Sequence, residues 1–375
     1  MTDKLGIYVH VPFCLSKCHY CDFCSKTRAD DETVDLYVKR LCEEIEKTAS
    51  NHKAGLCQAD TVYFGGGTPT LLNPLQFERI INTIEGSFGI AEGAEITAEA
   101  NPKTADAEKL KNMRSVGINR LSIGMQSIHD SELRTLGRIH SSGDFFETYG
   151  AARRSGFDNI SVDLMYGIPN QTRDLFERSV KGVAMLDPEH ISSYCLTVED
   201  DTNFGRRRDS LTLPEEDAVA DMYSDMSEIL QKYGYHKYEI SNFAKAGRES
   251  RHNLKYWQLD DYLGFGPAAH SCLNSVRYSN SRDIDAYLRG EDISEGCDAI
   301  GEVERMNEFV MLGMRLSRGV DADEFKLRFG KDLFAEFSKI KDFAPEHVTV
   351  DEHGCRFTDK GMFVSNYILS EVLDL

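Results

Sequence analysis

The sequence has no apolar run approaching the roughly 20 residues that span a bilayer, and its start, MTDKLGIYVHVPFC, lacks a signal-peptide core ending in a small-residue cleavage site. A transmembrane or exported chain is therefore not expected, and the cytoplasm is. Basic residues are also in short supply: 43 Lys and Arg stand against 62 Asp and Glu, a formal net charge of -19. That balance opposes unspecific attraction to nucleic acid or anionic lipid. Peripheral contact with a membrane or its proteins would have to come from a local patch. There is no low-complexity linker and no internal repeat beyond an alternation of strand-like and helix-like segments.

What is present is 375 residues, 41% hydrophobic and 28% charged, enough for one large α/β domain and a smaller companion. Short β-branched or aromatic runs alternate with helical patterns through the first two thirds, the mark of βα units on a parallel sheet. Six runs predict strands, at 5–11, 60–66, 95–100, 118–125, 159–167 and 190–198. Between them Val34, Tyr37, Leu41 and Ile45 make one helical stripe, and Ile80, Ile81, Ile84 and Phe88 another, behind an Asn73 cap and Pro74 in the first turn. Six right-handed βα units make an open doubly wound sheet or an incomplete barrel, and both put the working residues at the C-terminal ends of the strands. From about residue 300 the pattern turns helical, with a hairpin at VTVDEHGCRFT and a last helix. The expected division is residues 1–235 for a core barrel, 236–300 for a barrel-closing segment and 301–375 for a mainly helical, winged-helix-like domain.

Ten cysteines in a reducing compartment do not read as a disulfide framework. Cys42, Cys57, Cys195, Cys272, Cys297 and Cys355 are scattered singly and read as ordinary thiols. The other four, Cys14, Cys18, Cys21 and Cys24, crowd the loop after the first strand, the first three as CxxxCxxC. Structural zinc usually draws four protein ligands, so three thiols leave one position open. Thiolates suit iron–sulfur clusters, and a four-iron cluster on three cysteines keeps one iron free. The bland alternative is a trio of reduced thiols or an adventitious zinc site.

The spacing resembles the radical S-adenosylmethionine (SAM) superfamily, in which the open iron chelates SAM. The flanks in VHVPFCLSKCHYCDF are similar to the branch that holds oxygen-independent coproporphyrinogen dehydrogenases and HemW-type haem chaperones. Cys24 departs from both, since the dehydrogenases carry CxC and HemW-type sequences CDFNS where this chain reads CDFCS. It is expected to be a bystander thiol.

The resemblance implies a partial (βα)6, TIM-like radical SAM barrel, a 4Fe-4S cluster on Cys14, Cys18 and Cys21, and one or two molecules of SAM. Gly66, Gly67 and Thr68 follow the second strand, where glycines let backbone approach a ligand and offer bare amides. Glu99, at the tip of the third strand, could accept from ribose hydroxyls or the SAM ammonium. Gln126, Arg138 and Asp163 fall where the dehydrogenases surround a second SAM, and Tyr8 and Tyr20 match the remaining contact positions. Outside the family, a glycine-rich turn and a strand-end carboxylate are ordinary loop features.

Within the branch, three features point to the chaperones. Tyr8 lies near the start of the sequence, without the long extension of the dehydrogenases, and the CxC cysteine is displaced. Third, His252, Asn253, Tyr256 and Trp257 spell HNxxYW, similar to the haem-associated motif of HemW-type proteins. An imidazole can ligate haem iron while Tyr256 and the single tryptophan offer flat faces; read alone, such a histidine is more often a packing residue. His10 and His270 are weaker candidates. The expected protein binds haem, cluster and SAM and hands haem to an acceptor such as a respiratory haem protein, with a flavodoxin- or ferredoxin-like electron donor. The rival functions are oxidative decarboxylation of coproporphyrinogen III by a 5'-deoxyadenosyl radical, and haem degradation by a radical SAM methyltransferase.

Overall fold

Runs of apolar residues buried on both faces are what a parallel sheet covered by helices requires. In the computed structural model, which describes residues 5–51 and 57–373, six such runs are parallel strands: β1 (Leu5–Val11), β2 (Ala59–Gly66), β3 (Ile90–Ala100), β4 (Arg120–Gln126), β5 (Ile160–Tyr166) and β6 (His190–Cys195). Each pairs with the next in chain order. The third begins earlier than its sequence pattern suggested, and the sixth stops at Cys195.

Helices α1 (Asp31–Asn51), α2 (Pro74–Phe88), α3 (Ala107–Ser115), α4 (Asp130–Thr135), α5 (Ser142–Arg154), α6 (Arg173–Ala184) and α7 (Glu216–Lys232) connect the strands. Their apolar stripes face the sheet: α1 buries Val34, Tyr37, Leu41 and Ile45, and α2 buries Ile80, Ile81, Ile84 and Phe88. Helix α2 starts as its sequence announces. The Asn73 side chain accepts from Gln76 N, Gln76 Oε1 accepts from Asn73 N, and Pro74 occupies the first turn.

Residues after α7 add strands at both edges. β7 (His236–Lys237) and β8 (Asn242–Ala244) run antiparallel beyond β6. Helix α8 (Arg251–Gln258) then leads to β9 (Tyr262–Phe265), parallel to β1, followed by the antiparallel β10 (His270–Leu273), β11 (Val276–Asn280) and β12 (Ser294–Ala299). The order of the 12-stranded sheet is β12-β11-β10-β9-β1-β2-β3-β4-β5-β6-β8-β7. Since β1 and β6 do not pair with each other, the barrel is partial and its interior opens to ligands.

A second apolar core, with Met306, Phe309, Phe325, Val348, Phe357 and Ile368, lies in the C-terminal residues. It is built by the helices Glu302–Gly313 and Ala322–Phe329, a hairpin of Val348–Asp351 with Gly354–Phe357, and the helix Ser365–Val372. A bridge between Glu239 and Leu316 and a hydrogen bond from Ser317 N to Tyr238 O, 2.9 Å, tie it to the sheet edge. Among the described residues, no helix is long and apolar enough to cross a membrane.

Candidate functional site

The loop after β1 is pinned on several sides, which fixes where its thiols point. Phe13–Cys14 pairs in parallel with Lys26–Thr27, closing the loop on itself. Gly67 N donates to Val11 O at 2.9 Å and Thr68 N to Phe13 O at 2.7 Å, so the turn after β2 lies directly against it. On the opposite side His19 N donates to Leu136 O and Phe204 N to His19 O.

Cys14, Cys18 and Cys21 are half-buried and line one cavity of about 480 Å³. Its wall contains Gly66, Gly67, Thr68, Glu99, Gln126, Arg138, Asp163 and Tyr20, and its depth reaches Arg120, His190 and Asn253. Ten of the expected ligand-binding and metal-binding residues thus share the cavity with Cys14, giving one site rather than scattered candidates. Cys24 is outside it: its thiol is buried and donates to Arg282 O at 3.3 Å.

Tyr8 and His252 also lie outside the cavity, which corrects two expectations. Tyr8 pairs its hydroxyl with His10 Nδ1 at 3.0 Å. His252 is 1% exposed, with Nδ1 on Thr61 Oγ1 at 2.8 Å and Nε2 on the Tyr256 hydroxyl at 2.9 Å. Both ring nitrogens are used, and burial followed by the Lys255 charge pushes its pKa down to about 3. In this structure it is a buried histidine with both ring nitrogens paired. The expectation of bare amides at GGGT also fails. Gly66 N donates to Glu99 Oε2 at 3.2 Å, and the next two amides hold the thiol loop, as above.

Each thiol has a donor. Thr68 Oγ1 lies 3.5 Å from Cys14 Sγ, Arg138 Nη1 lies 3.6 Å from Cys18 Sγ, and the Phe23 N–H faces Cys21. Burial raises Cys14 and takes Cys21 up to about 11, so these thiols are protonated until a metal displaces the protons. The donor set is all sulfur, with no carboxylate or imidazole joining it. Among the described residues no three His, Cys, Asp or Glu side chains converge on a single ion. A polynuclear cluster, which puts each thiolate on a different iron, suits that arrangement better than a mononuclear ion.

The carboxylates of the wall are under strain of charge. Burial, then the nearby Asp163, takes Glu99 up to about 7, against hydrogen bonds from the Tyr63 hydroxyl and Gly66 N. Burial also raises Asp163, while Ser122 and Ser161 donate to its Oδ1 at 2.9 and 3.4 Å. Arg138 is largely engaged, by Asn101 Oδ1 and by Gly124 O at 2.8 Å. Gln126 has φ +67, a left-handed conformation that a non-glycine residue adopts at a cost of order 1–3 kcal/mol. The Thr97 hydroxyl, buried on the same wall, has no partner.

Several lining residues had not been singled out from the sequence: Thr97, Ser122, Ser161, Ser192 and Tyr194. Thr97 stands two residues from Glu99, Ser161 two from Asp163, Ser192 two from Tyr194, and Ser122 two from Arg120 and Gly124, all lining the cavity, so one face of each strand points inward. That alternation was the available signal.

Comparison with known proteins bears on the family and the fold. The radical SAM superfamily model matches residues 8–182, and the HemN C-terminal domain model matches residues 302–364. The solved structure of the coproporphyrinogen III oxidase HemN from Escherichia coli superimposes with a TM-score of 0.86, covering 99% of this chain and 90% of that one, at 24% identity. The fold is that of the radical SAM class. Among curated proteins, the heme chaperone HemW of Bacillus subtilis is 36% identical over 98% of both chains, and that of Haemophilus influenzae 34% identical over 97% of both. The chain belongs to the HemW family of radical SAM proteins.

Proposed function

We propose that this chain is a haem chaperone in which Cys14, Cys18 and Cys21 hold a 4Fe-4S cluster, SAM fills the adjoining cavity, and haem is bound and passed to an acceptor protein. The observation that carries this reading is a near-full-length likeness to HemW proteins, joined to three thiols opening on one cavity. When bound, cluster and SAM supply one-electron chemistry. The chain's own part is to hold them, admit an electron from a carrier protein and exclude water.

Thr68, Arg138 and the Phe23 amide steady the three thiolates. Glu99 and Asp163 against Arg138 leave a formal charge of -1 on the wall, complementary to a ligand with an ammonium, a sulfonium and a carboxylate. Thr97 supplies a free hydroxyl, Tyr20 covers the ligand beside Cys18, and Gln126, Arg138 and Asp163 would meet a second SAM. With both His252 nitrogens paired inside the barrel, haem would meet the cavity beside Phe23, a lining residue that is 62% exposed.

Anaerobically reconstituted protein is incubated with haem, and separately with coproporphyrinogen, SAM and reductant. Stable haem binding, haem transfer to an apo-haem protein and no decarboxylated porphyrin are expected. Stoichiometric protoporphyrinogen would overturn the chaperone reading in favour of the oxidase reaction, and ring-opened product would select haem degradation.

Glu99 makes SAM binding depend on pH. A carboxyl that titrates at about 7 must lose its proton to meet an ammonium, so affinity rises with pH from 5.5 toward 7, by up to about tenfold per unit. The rise ends where the ligand's own α-ammonium begins to titrate, at about 7.7–8.0 for ordinary α-amines. Calorimetry in buffers of different ionisation enthalpy should show proton release, and Glu99→Gln should flatten the profile; a profile still steep in that variant would exclude Glu99 as the ammonium partner.

A further inference from the structure

Behind the carboxylate wall lies a row of rings used neither by the thiols nor by the ligand contacts above. Tyr63 lines the cavity and donates to Glu99 Oε1 at 3.0 Å. Its ring stacks on His252 with centroids 5.2 Å apart; His252 meets Tyr256 edge-on at 5.3 Å, and Tyr256 meets Tyr262 at 4.7 Å. Tyr8 branches off at 6.2 Å from Tyr63. His252 and Tyr256 are one helical turn apart on α8, which is why the HNxxYW segment presents them as a pair.

Packing explains rings in contact, but not where the hydroxyls go. Tyr63, Tyr8 and Tyr256 are each paired with a group that can take a proton: Glu99, His10 Nδ1 at 3.0 Å and His252 Nε2 at 2.9 Å. His10 donates its Nε2–H to Cys24 O at 2.8 Å, so Nδ1 carries the lone pair. Buried tyrosines elsewhere are mixed: Tyr235, Tyr149 and Tyr37 donate to the carbonyls of Pro188, Leu186 and His10, which cannot accept a proton, whereas Tyr287 donates to Glu44 and Tyr238 pairs with His190. What sets the present row apart is that its rings run in contact from the cavity to β9. A phenol gives up an electron readily only when its proton has somewhere to go.

We propose that Tyr63, His252, Tyr256 and Tyr262 form a route that carries a one-electron hole from the cavity to the opposite end of the barrel. The oxidant is an oxygen-centred radical arising in the cavity, which the electron reduces to its anion. It takes one electron from Tyr63, whose proton moves to Glu99 Oε1, leaving a neutral phenoxyl radical and a protonated carboxyl. Tyr256 gives an electron to that phenoxyl while its own proton moves to His252 Nε2, in the tautomer that donates Nδ1–H to Thr61; Glu99 returns its proton and Tyr63 is restored. Tyr262, half-buried at the start of β9, then reduces Tyr256, His252 returns the proton, and the Tyr262 proton leaves to water. A soluble thiol restores Tyr262 by giving up a hydrogen atom and becoming a thiyl radical. The route protects the thiols and ligands of the cavity, whichever substrate the protein serves.

The test uses full-length protein carrying Cys57→Ser, Cys272→Ser and Cys297→Ser, labelled with a thiol-linked ruthenium photosensitiser so that the label sits on thiols lining the cavity. After a flash with an irreversible electron acceptor, freeze-trapped samples are read by electron paramagnetic resonance. A phenoxyl signal is expected that glutathione quenches. Tyr63→Phe should lose the signal, Tyr256→Phe should keep it but lose the quenching, and Tyr235→Phe should change neither. Fluorotyrosine at position 63 preserves packing and hydroxyl and should alter the hyperfine pattern. An undiminished signal in Tyr63→Phe, an unaltered pattern with fluorotyrosine, or normal quenching in Tyr256→Phe would overturn the route.

Discussion

Replacing Cys14, Cys18 or Cys21 by alanine, one at a time, should all but abolish iron and sulfide uptake on anaerobic reconstitution, while Cys24→Ala leaves both near wild type. The asymmetry comes from where the four sulfurs stand. The first three line the cavity and each meets a hydrogen-bond donor, whereas Cys24 is buried behind them and spends its S–H on Arg282 O. Removing a group that merely supports a metal ligand costs about 10- to 100-fold in affinity. Losing one of three thiolates goes beyond that, because among the described residues no other group of three His, Cys, Asp or Glu side chains offers a metal site. Iron and acid-labile sulfide per chain, with the visible absorption of the cluster, measure the outcome. Full iron loading in a Cys18→Ala protein would sink the assignment, and loss of loading in Cys24→Ala would make it a fourth ligand.

The sequence was informative where chemistry depends on spacing along the chain, and silent where it depends on what lies across the barrel. CxxxCxxC sits in one loop, so its meaning survives without coordinates, and Asn73-Pro74 marks a helix start by local hydrogen bonding alone. The six strands were legible because each is an apolar run bounded by loop residues. His252 invites a haem reading because its neighbours in sequence, Tyr256 and Trp257, suggest a flat ligand. In space, Thr61 on β2 takes Nδ1, Tyr63 covers the ring face, and Tyr256 itself turns back onto Nε2. The serines of β4, β5 and β6 were passed over because buried parallel strands are expected to be apolar on both faces. In a partial barrel the inner face is a ligand cavity, and the polar residues at every second position record it.

Gly67→Ala should destabilise the protein by about 3 kcal/mol and impair cluster assembly together. The turn after β2 reads as a ligand-binding motif, yet Gly67 is small for a different reason. A Cβ there would stand 2.5 Å from Phe13 O and 2.8 Å from Val11 O. Those are backbone atoms of the thiol loop, which cannot rotate aside as a side chain does, so the loop itself must move. Moving it breaks the bonds from Gly67 N to Val11 O and from Thr68 N to Phe13 O, and displaces Cys14 and its Thr68 donor. Gly66, with φ +101 and the His10 ring 2.5 Å from where a methyl carbon would stand, is constrained as well, but by conformation and a side chain. Gly86→Ala is the matched control, since nothing lies within 4 Å of its added methyl and it is interior to α2. That change should stabilise by about 0.5–1 kcal/mol through helix propensity. Urea unfolding midpoints and iron content separate the cases: a Gly67→Ala protein with the wild-type midpoint and full iron would show that the loop tolerates displacement. A lowered midpoint with iron lost in parallel would mean that the glycine turn acts on the site through the thiol loop, before any ligand is bound.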